Sequence, residues 1–282
     1  MEGIDQFEQS FIVGQYECDC NGRMKAGALL SQTQAISTNH CNAIGWTIEL
    51  YHRNHMVFLL AKTSLEIYGE IRVGDHIRMV THPSRPNRAI YNRYTSFYNE
   101  QGEEVAAQDS KWVMVDTETH KILREPPAEM EVPFHLDATK EHDFSIPKVR
   151  DAQQTATERV TYSRTDDNGH LNNTHYADII LDNLPFSATV DRRMKKLVIN
   201  YHNEAKMGEE LAVFTKEFEE EQQLKYYVSG KLPSGKTCFE SLAVFEYPNG
   251  WYPIRVFCFV GYHLFIDQEE KIKKLKNDLA KI

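Results

Sequence analysis

The chain has 282 residues, of which 41% are hydrophobic and 26% charged, with a formal net charge of −9. Such a composition belongs to a soluble globular protein long enough for two cores, and the acidic excess argues against a nucleic-acid-binding surface. Five cysteines at irregular spacing (Cys18, Cys20, Cys41, Cys238, Cys258) lack the paired pattern of a zinc site, and the opening Met1-Glu2-Gly3-Ile4-Asp5 lacks the features of a signal peptide. Free thiols and a cytoplasmic location are therefore expected.

After a polar leader, residues 11–16 read as a strand. Residues 28–44, with Leu29, Leu30, Ile36 and Ile44 among alanines, read as a largely buried helix stopped by Gly45. Four strands are predicted next, over 56–68, 76–83, 89–98 and 105–115, with turns at Gly74-Asp75 and Gln101-Gly102. From Pro126 to about Thr157, prolines, charges and the lack of periodicity indicate a crossing linker. The expected domains are 1–135, a linker over 136–156, and 157–282 with an extra tail. In the second of these the order recurs: a strand at 158–163, a polar turn, a helix at 174–183, and strands at 195–201, 210–218, 224–229 and 237–247. The tail from Trp251 fits neither half, and its part over 268–282 has the spacing of an amphipathic helix.

The polar turn is the densest cluster of chemistry: Thr165-Asp166-Asp167-Asn168-Gly169-His170-Leu171-Asn172-Asn173-Thr174-His175-Tyr176. Asp-Asn-Gly favours a turn with positive φ, and Asn172 or Asn173 is suited to cap a helix whose apolar face is Tyr176, Ile179, Ile180 and Leu184, ended by Pro185. The same turn occurs in the first half. Cys18-Asp19-Cys20-Asn21-Gly22-Arg23-Met24 lies over Thr165 to Leu171 at an offset of 147, and residues 65–75 lie over 199–209 at an offset of 134, pairing Glu70 with Glu204. A duplicated α+β unit, each copy an antiparallel sheet wrapped around a long central helix, is the expected fold: a tandem, or double, hot-dog.

The chain resembles the acyl-ACP thioesterase family of plants and bacteria, whose Asp-x-Asn-x-His-x-Asn-Asn-x-x-Tyr run matches Asp166, Asn168, His170, Asn172, Asn173 and Tyr176. The family's catalytic Glu, about 34 residues beyond the His, matches Glu204. Weaker matches are the opening Phe11 to Glu17 and the strand Trp112-Val113-Met114. The resemblance implies hydrolysis of fatty acyl thioesters on acyl carrier protein, with Asp166, Asn168, His170 and Glu204 as the catalytic set and no cofactor. Plant members carry Cys immediately after this Glu; here Ala205 stands there, so a Cys–His mechanism is not open at this position.

In this reading Glu204 activates water as general base or attacks directly, His170 and Asn168 orient the water or polarise the carbonyl, and Asp166 holds Asn168 or His170. N–H groups near Asn173 offer an oxyanion site. No metal is expected, since His175 follows His170 by five residues without an intervening Glu. The first copy has Arg23 in place of the His and is expected to be non-catalytic, shaping the acyl pocket. Arg192, Arg193, Lys195 and Lys196 form the densest basic run and are the candidate docking site for the acidic carrier. An acyl-CoA substrate, a binding-only role and a homodimer stay open at this point.

Overall fold

The computed structural model describes residues 5–127, 130, 134–220 and 223–246. Ten strands form one antiparallel sheet, in the order β1-β3-β4-β5-β2-β7-β10-β9-β8-β6. The first half supplies β1 (Phe7–Ile12), β2 (Met56–Ile67), β3 (His76–Pro83), β4 (Ile90–Tyr98) and β5 (Glu104–Asp116). The second supplies β6 (Gln153–Arg159), β7 (Arg193–Tyr201), β8 (Glu210–Glu220), β9 (Gln223–Lys231) and β10 (Thr237–Glu246). The two sets meet where β2 pairs with β7, with Lys62 opposite Asn200 and Glu66 opposite Lys196.

Helix α1 (Ala26–Ala43) lies against the first set and α3 (His175–Asp182) against the second. Leu29, Leu30 and Ile36 of α1 share one core with Ile179 and Ile180 of α3 and with Leu65, Leu197 and Ile199 of the central strands. The helices touch each other at Gly27, where a Cβ would stand 2.9 Å from Asp178 Cγ, so a larger residue there would push the Asp178 side chain aside. A smaller cluster of Trp46, Met56, Tyr91, Met114, Met130 and Phe134 packs near the far end of α1. Residues 1–248 form one compact unit. The amphipathic segment expected at 268–282, and Cys258, lie outside the described residues.

The predicted elements differ from the observed ones mainly at edges. The first strand covers Phe7–Ile12 rather than 11–16, because Phe7 and Phe11 turn toward the core while Glu8 and Ser10 face outward along an edge strand. The 16–17 region instead makes a short 3-10 turn. Helix α2 (Ile48–Arg53) was not expected; Thr47 caps it, accepting from the Leu50 amide. The predicted strand at 158–163 begins earlier, at Gln153, and ends at Arg159. Helix α3 has only eight residues, since Pro185 ends its run and opens the short α4 (Phe186–Thr189).

Candidate active site

The turn between β6 and α3 is built by one carboxylate. Asp166 Oδ1 accepts from the Asn168 amide at 3.0 Å and the His170 amide at 3.1 Å, while the Asp166 amide donates to the His170 carbonyl at 2.9 Å. Gly169 takes φ of +73°, the left-handed conformation that closes so tight a loop. From this loop Leu171 donates to the Ala205 carbonyl at 2.8 Å, which brings His170 alongside the segment that follows β7. As a result His170 Nδ1 stands 3.4 Å from Glu204 Oε2. His170's side chain is 23% exposed and that of Glu204 is 53% exposed, so the pair faces solvent at the mouth of the fold.

Of the four residues singled out in the sequence, His170 and Glu204 are together. Asp166 acts on the backbone amides of Asn168 and His170 rather than on their side chains. Asn168 is exposed, its amide nitrogen 3.4 Å from Asp167 Oδ1. The start of α3 is organised by Asn172, whose Oδ1 accepts from both the amide and the hydroxyl of Thr174 at 3.0 Å. Tyr201 donates its hydroxyl to the Asn173 carbonyl at 3.1 Å and stacks edge-on against Tyr176. Tyr201 was not singled out from sequence, because a tyrosine at a strand end reads as ordinary β composition. Ala205 is fully buried, so its Cβ belongs to the core rather than to the solvent-facing pair.

The first-half turn repeats this geometry. Asp19 Oδ1 accepts from the Asn21 and Arg23 amides at 2.8 and 3.0 Å, Gly22 takes φ of +70°, and Met24 donates to the Ile71 carbonyl at 2.8 Å. Here Arg23 Nε lies 3.9 Å from Glu70 Oε1. Arg72 and Arg193 also pair with Glu70, and burial of that carboxylate is outweighed by these cations, which hold it below the usual carboxylate range. Asn21 and Arg23 donate to the carbonyls of Val190 and Arg192 at 2.9 Å, so the chain entering β7 closes over this copy.

The same contacts place the basic run. Arg193 pairs with Glu70, Lys195 with Glu246 at 3.5 Å, and Lys196 with Glu66 at 3.0 Å. Arg193 and Tyr201 occupy opposite ends of β7, roughly 26 Å apart at the usual strand rise, and Glu204 follows Tyr201. Close in sequence to both parts of the site, the run is therefore beside the first-half turn in space.

Between the start of α3 and the first half lies a narrow cleft of about 20 Å³, lined by Leu30, Thr33, Gln34 and Ser37 of α1, Leu60, Gln108 and Trp112 of the sheet, and Asn173, Thr174 and Tyr201. That volume accommodates about one water molecule.

Two sheet-and-helix units fused through one β2–β7 pairing make this a double hot-dog protein. Solved structures share the fold: an acyl-ACP thioesterase from Bacteroides thetaiotaomicron superposes with a TM-score of 0.78 at 22% identity, covering 86% of this chain and 98% of that one. The 12:0-ACP thioesterase from Umbellularia californica gives a TM-score of 0.78 at 16% identity, covering 88% and 96%. The acyl-ACP thioesterase N-terminal domain matches residues 4–131 and the acyl-ACP thioesterase C-terminal domain residues 148–241. The chain belongs to the acyl-ACP thioesterase family. Among curated relatives, the chloroplastic oleoyl-acyl carrier protein thioesterase 2 of Arabidopsis thaliana is 22% identical over 232 residues, 74% of this chain and 62% of its own length. Among the described residues no helix is long and apolar enough to cross a membrane.

Proposed function

We propose that the protein hydrolyses fatty acyl thioesters carried by acyl carrier protein, releasing the free acid and the carrier thiol. The observation that carries this reading is the contrast between the two turns. In the second half the imidazole of His170 meets an exposed Glu204, whereas in the first half Arg23, Arg72 and Arg193 neutralise Glu70. Glu204 takes a proton from water, and the resulting hydroxide attacks the thioester carbonyl. The oxyanion that forms is stabilised by N–H groups at the start of α3 and by the exposed Asn168 amide. Collapse of this intermediate breaks the C–S bond, and the proton held by the Glu204–His170 pair passes to the leaving thiolate.

In this reading residues 1–135 wall the acyl pocket, 136–156 link, and 157–282 carry the catalysis. An acyl chain enters the cleft by parting α1 from Leu60 and Trp112. The carrier approaches the open His170–Glu204 end of the fold, where Lys206 is an exposed cation next to the pair. A cytoplasmic setting belongs to the same reading, in keeping with unbridged thiols at Cys18, Cys20, Cys41 and Cys238. Product analysis with acyl-ACP and acyl-CoA thioesters of graded length is the test. Release of free acid, faster from the carrier thioesters, is the expected result. Tight binding without turnover would refute hydrolysis.

A further inference from the structure

The halves differ in what ties the start of the helix to the end of its central strand. Tyr201, the last residue of β7, donates its hydroxyl at 3.1 Å to the carbonyl of Asn173, two residues before α3 begins at His175. Its ring stands edge-on to Tyr176 with centroids 5.1 Å apart. Tyr176 in turn meets the Phe239 ring at 5.3 Å, and its hydroxyl lies 3.5 Å from Cys238 Sγ. Tyr176, Cys238 and Phe239 are buried, so packing holds the Tyr201 ring in one orientation. Burial raises the pKa of the Tyr201 phenol, which stays protonated and able to donate.

Tyr201 is fastened on its other side to the chain that carries Glu204. The amides of His202 and Asn203 donate to the Cys238 carbonyl at 2.8 and 3.1 Å, and Asn203 Nδ2 donates to the Thr237 carbonyl at 2.6 Å. Glu204 is the next residue. Tyr201 is thus a strut between the lead into Glu204 and the turn that opens α3. Asn173, Thr174 and Tyr201 also line the cleft together, so the strut stands where carboxylate, helix start and cleft meet.

The first half supplies an internal comparison. There the amides of Tyr68 and Gly69 both donate to the Val105 carbonyl at 2.9 Å, in the manner of His202 and Asn203 with Cys238, which sets Ile67 in the place of Tyr201. At the offset of 147 that superposes the two turns, Ala26 stands for Asn173 and Leu29 for Tyr176. Apolar side chains at these positions support the same strand, turn and helix. The architecture therefore does not require the tyrosine hydroxyl. It occurs in the half that sets His170 against Glu204 and is replaced in the half that sets Arg23 against Glu70.

We propose that Tyr201 is a positioning residue for hydrolysis: through Asn173 it fixes the start of α3, with its N–H groups, relative to Glu204. The inference rests on the thioesterase reading and adds to it a residue that acts through another. The test is Tyr201→Phe, which keeps the ring and removes the donor; Ile67 shows that an apolar side chain suits this place. On an acyl-ACP thioester kcat is expected to fall at least about tenfold, with KM within about twofold of the wild type and Tm little changed. A lower Tm with wild-type kcat per folded molecule would make the role purely structural and overturn the proposal. Hydrogen exchange reads the anchor without turnover: the Thr174 and His175 amides should exchange at least about fivefold faster in Tyr201→Phe, and unchanged protection overturns the proposal. A wild type inactive on both acyl-ACP and acyl-CoA thioesters refutes hydrolysis itself, whereas an active wild type beside an equally active Tyr201→Phe refutes the role of Tyr201 alone.

Discussion

Arg23 stands to Glu70 as His170 stands to Glu204: each basic side chain projects from a glycine-closed turn toward a carboxylate that follows a central strand, at 3.9 Å and 3.4 Å respectively. The same backbone thus sets an arginine against a carboxylate in one half and a histidine against a carboxylate in the other. An arginine in the first pair is a fixed cation, whereas the second pair sets an imidazole against its carboxylate.

Replacing the two glutamates should therefore separate catalysis from stability. Glu204→Gln is expected to lower kcat by about 10²–10⁴-fold, the range for loss of a general base, with little change in Tm because the side chain is half exposed. Glu70→Gln should leave kcat near normal and lower Tm by about 2–4 °C, corresponding to roughly 1 kcal/mol for a partly exposed ion-pair cluster. Steady-state kinetics and calorimetry on both variants check this.

The Glu70 effect should also depend on pH. Its folded pKa is held below the ordinary value by Arg72, Arg193 and Arg23 against the opposing effect of burial. A carboxylate of this kind stabilises the fold fully above its unfolded pKa, and that stability is lost as the pH falls through the folded value. The Tm gap between wild type and Glu70→Gln should be largest near pH 7 and close below about pH 4. A gap that persists in acid would show that Glu70 acts through packing.

Asp166 gives a sharper test of positioning. Since its Oδ1 serves two backbone amides, Asp166→Asn retains an acceptor and should keep most activity, whereas Asp166→Ala releases both amides. The alanine variant should lose roughly 1 kcal/mol of stability and about tenfold or more in kcat as His170 leaves its place. Equal loss in both variants would mean that the charge itself matters.

Charge reversal distinguishes the two ends of β7. Arg192→Glu with Arg193→Glu sets repulsion beside Glu70 and should lower Tm, while Lys206→Glu should raise KM for an acyl-ACP and weaken its salt dependence. Hydrolysis of a small uncharged thioester by Lys206→Glu should change little. A KM rise confined to the double arginine variant would return the carrier to the basic run.

Much of this geometry was legible in the residues, and the exceptions have physical causes. The strand at 76–83 was read correctly because apolar and polar positions alternate along it, and the two turns because Asp, Asn and Gly leave the backbone few other conformations. The 147 and 134 offsets became real superpositions of hydrogen bonds. The first strand was misread because its alternation starts within a polar leader, and α2 because a single turn and a half carries too few positions to show a period. The buried polar belt of Thr63, Thr81, Thr95, Gln108 and Ser110, which pair across β2, β3, β4 and β5, left no signal at all, since threonine and serine in a strand ordinarily mark the outward face. Only cross-strand pairing reveals that these side chains share one interior surface.

The β2–β7 pairing also bears on whether the halves are separable. Each of these strands is an inner member of the sheet only because the other half is present. Cutting the chain in the 136–152 connection and isolating either piece would bare a strand edge beside Leu65 and Ile67, or Leu197 and Ile199, with the backbone groups of the segment 62–66 or 196–200 left unpaired. Neither fragment should remain monomeric by itself, and the two should recover a native sheet only when produced together. The duplication is thus locked in a mechanical sense: the half with Arg23 at the histidine's place supplies the strand on which the other half's edge depends.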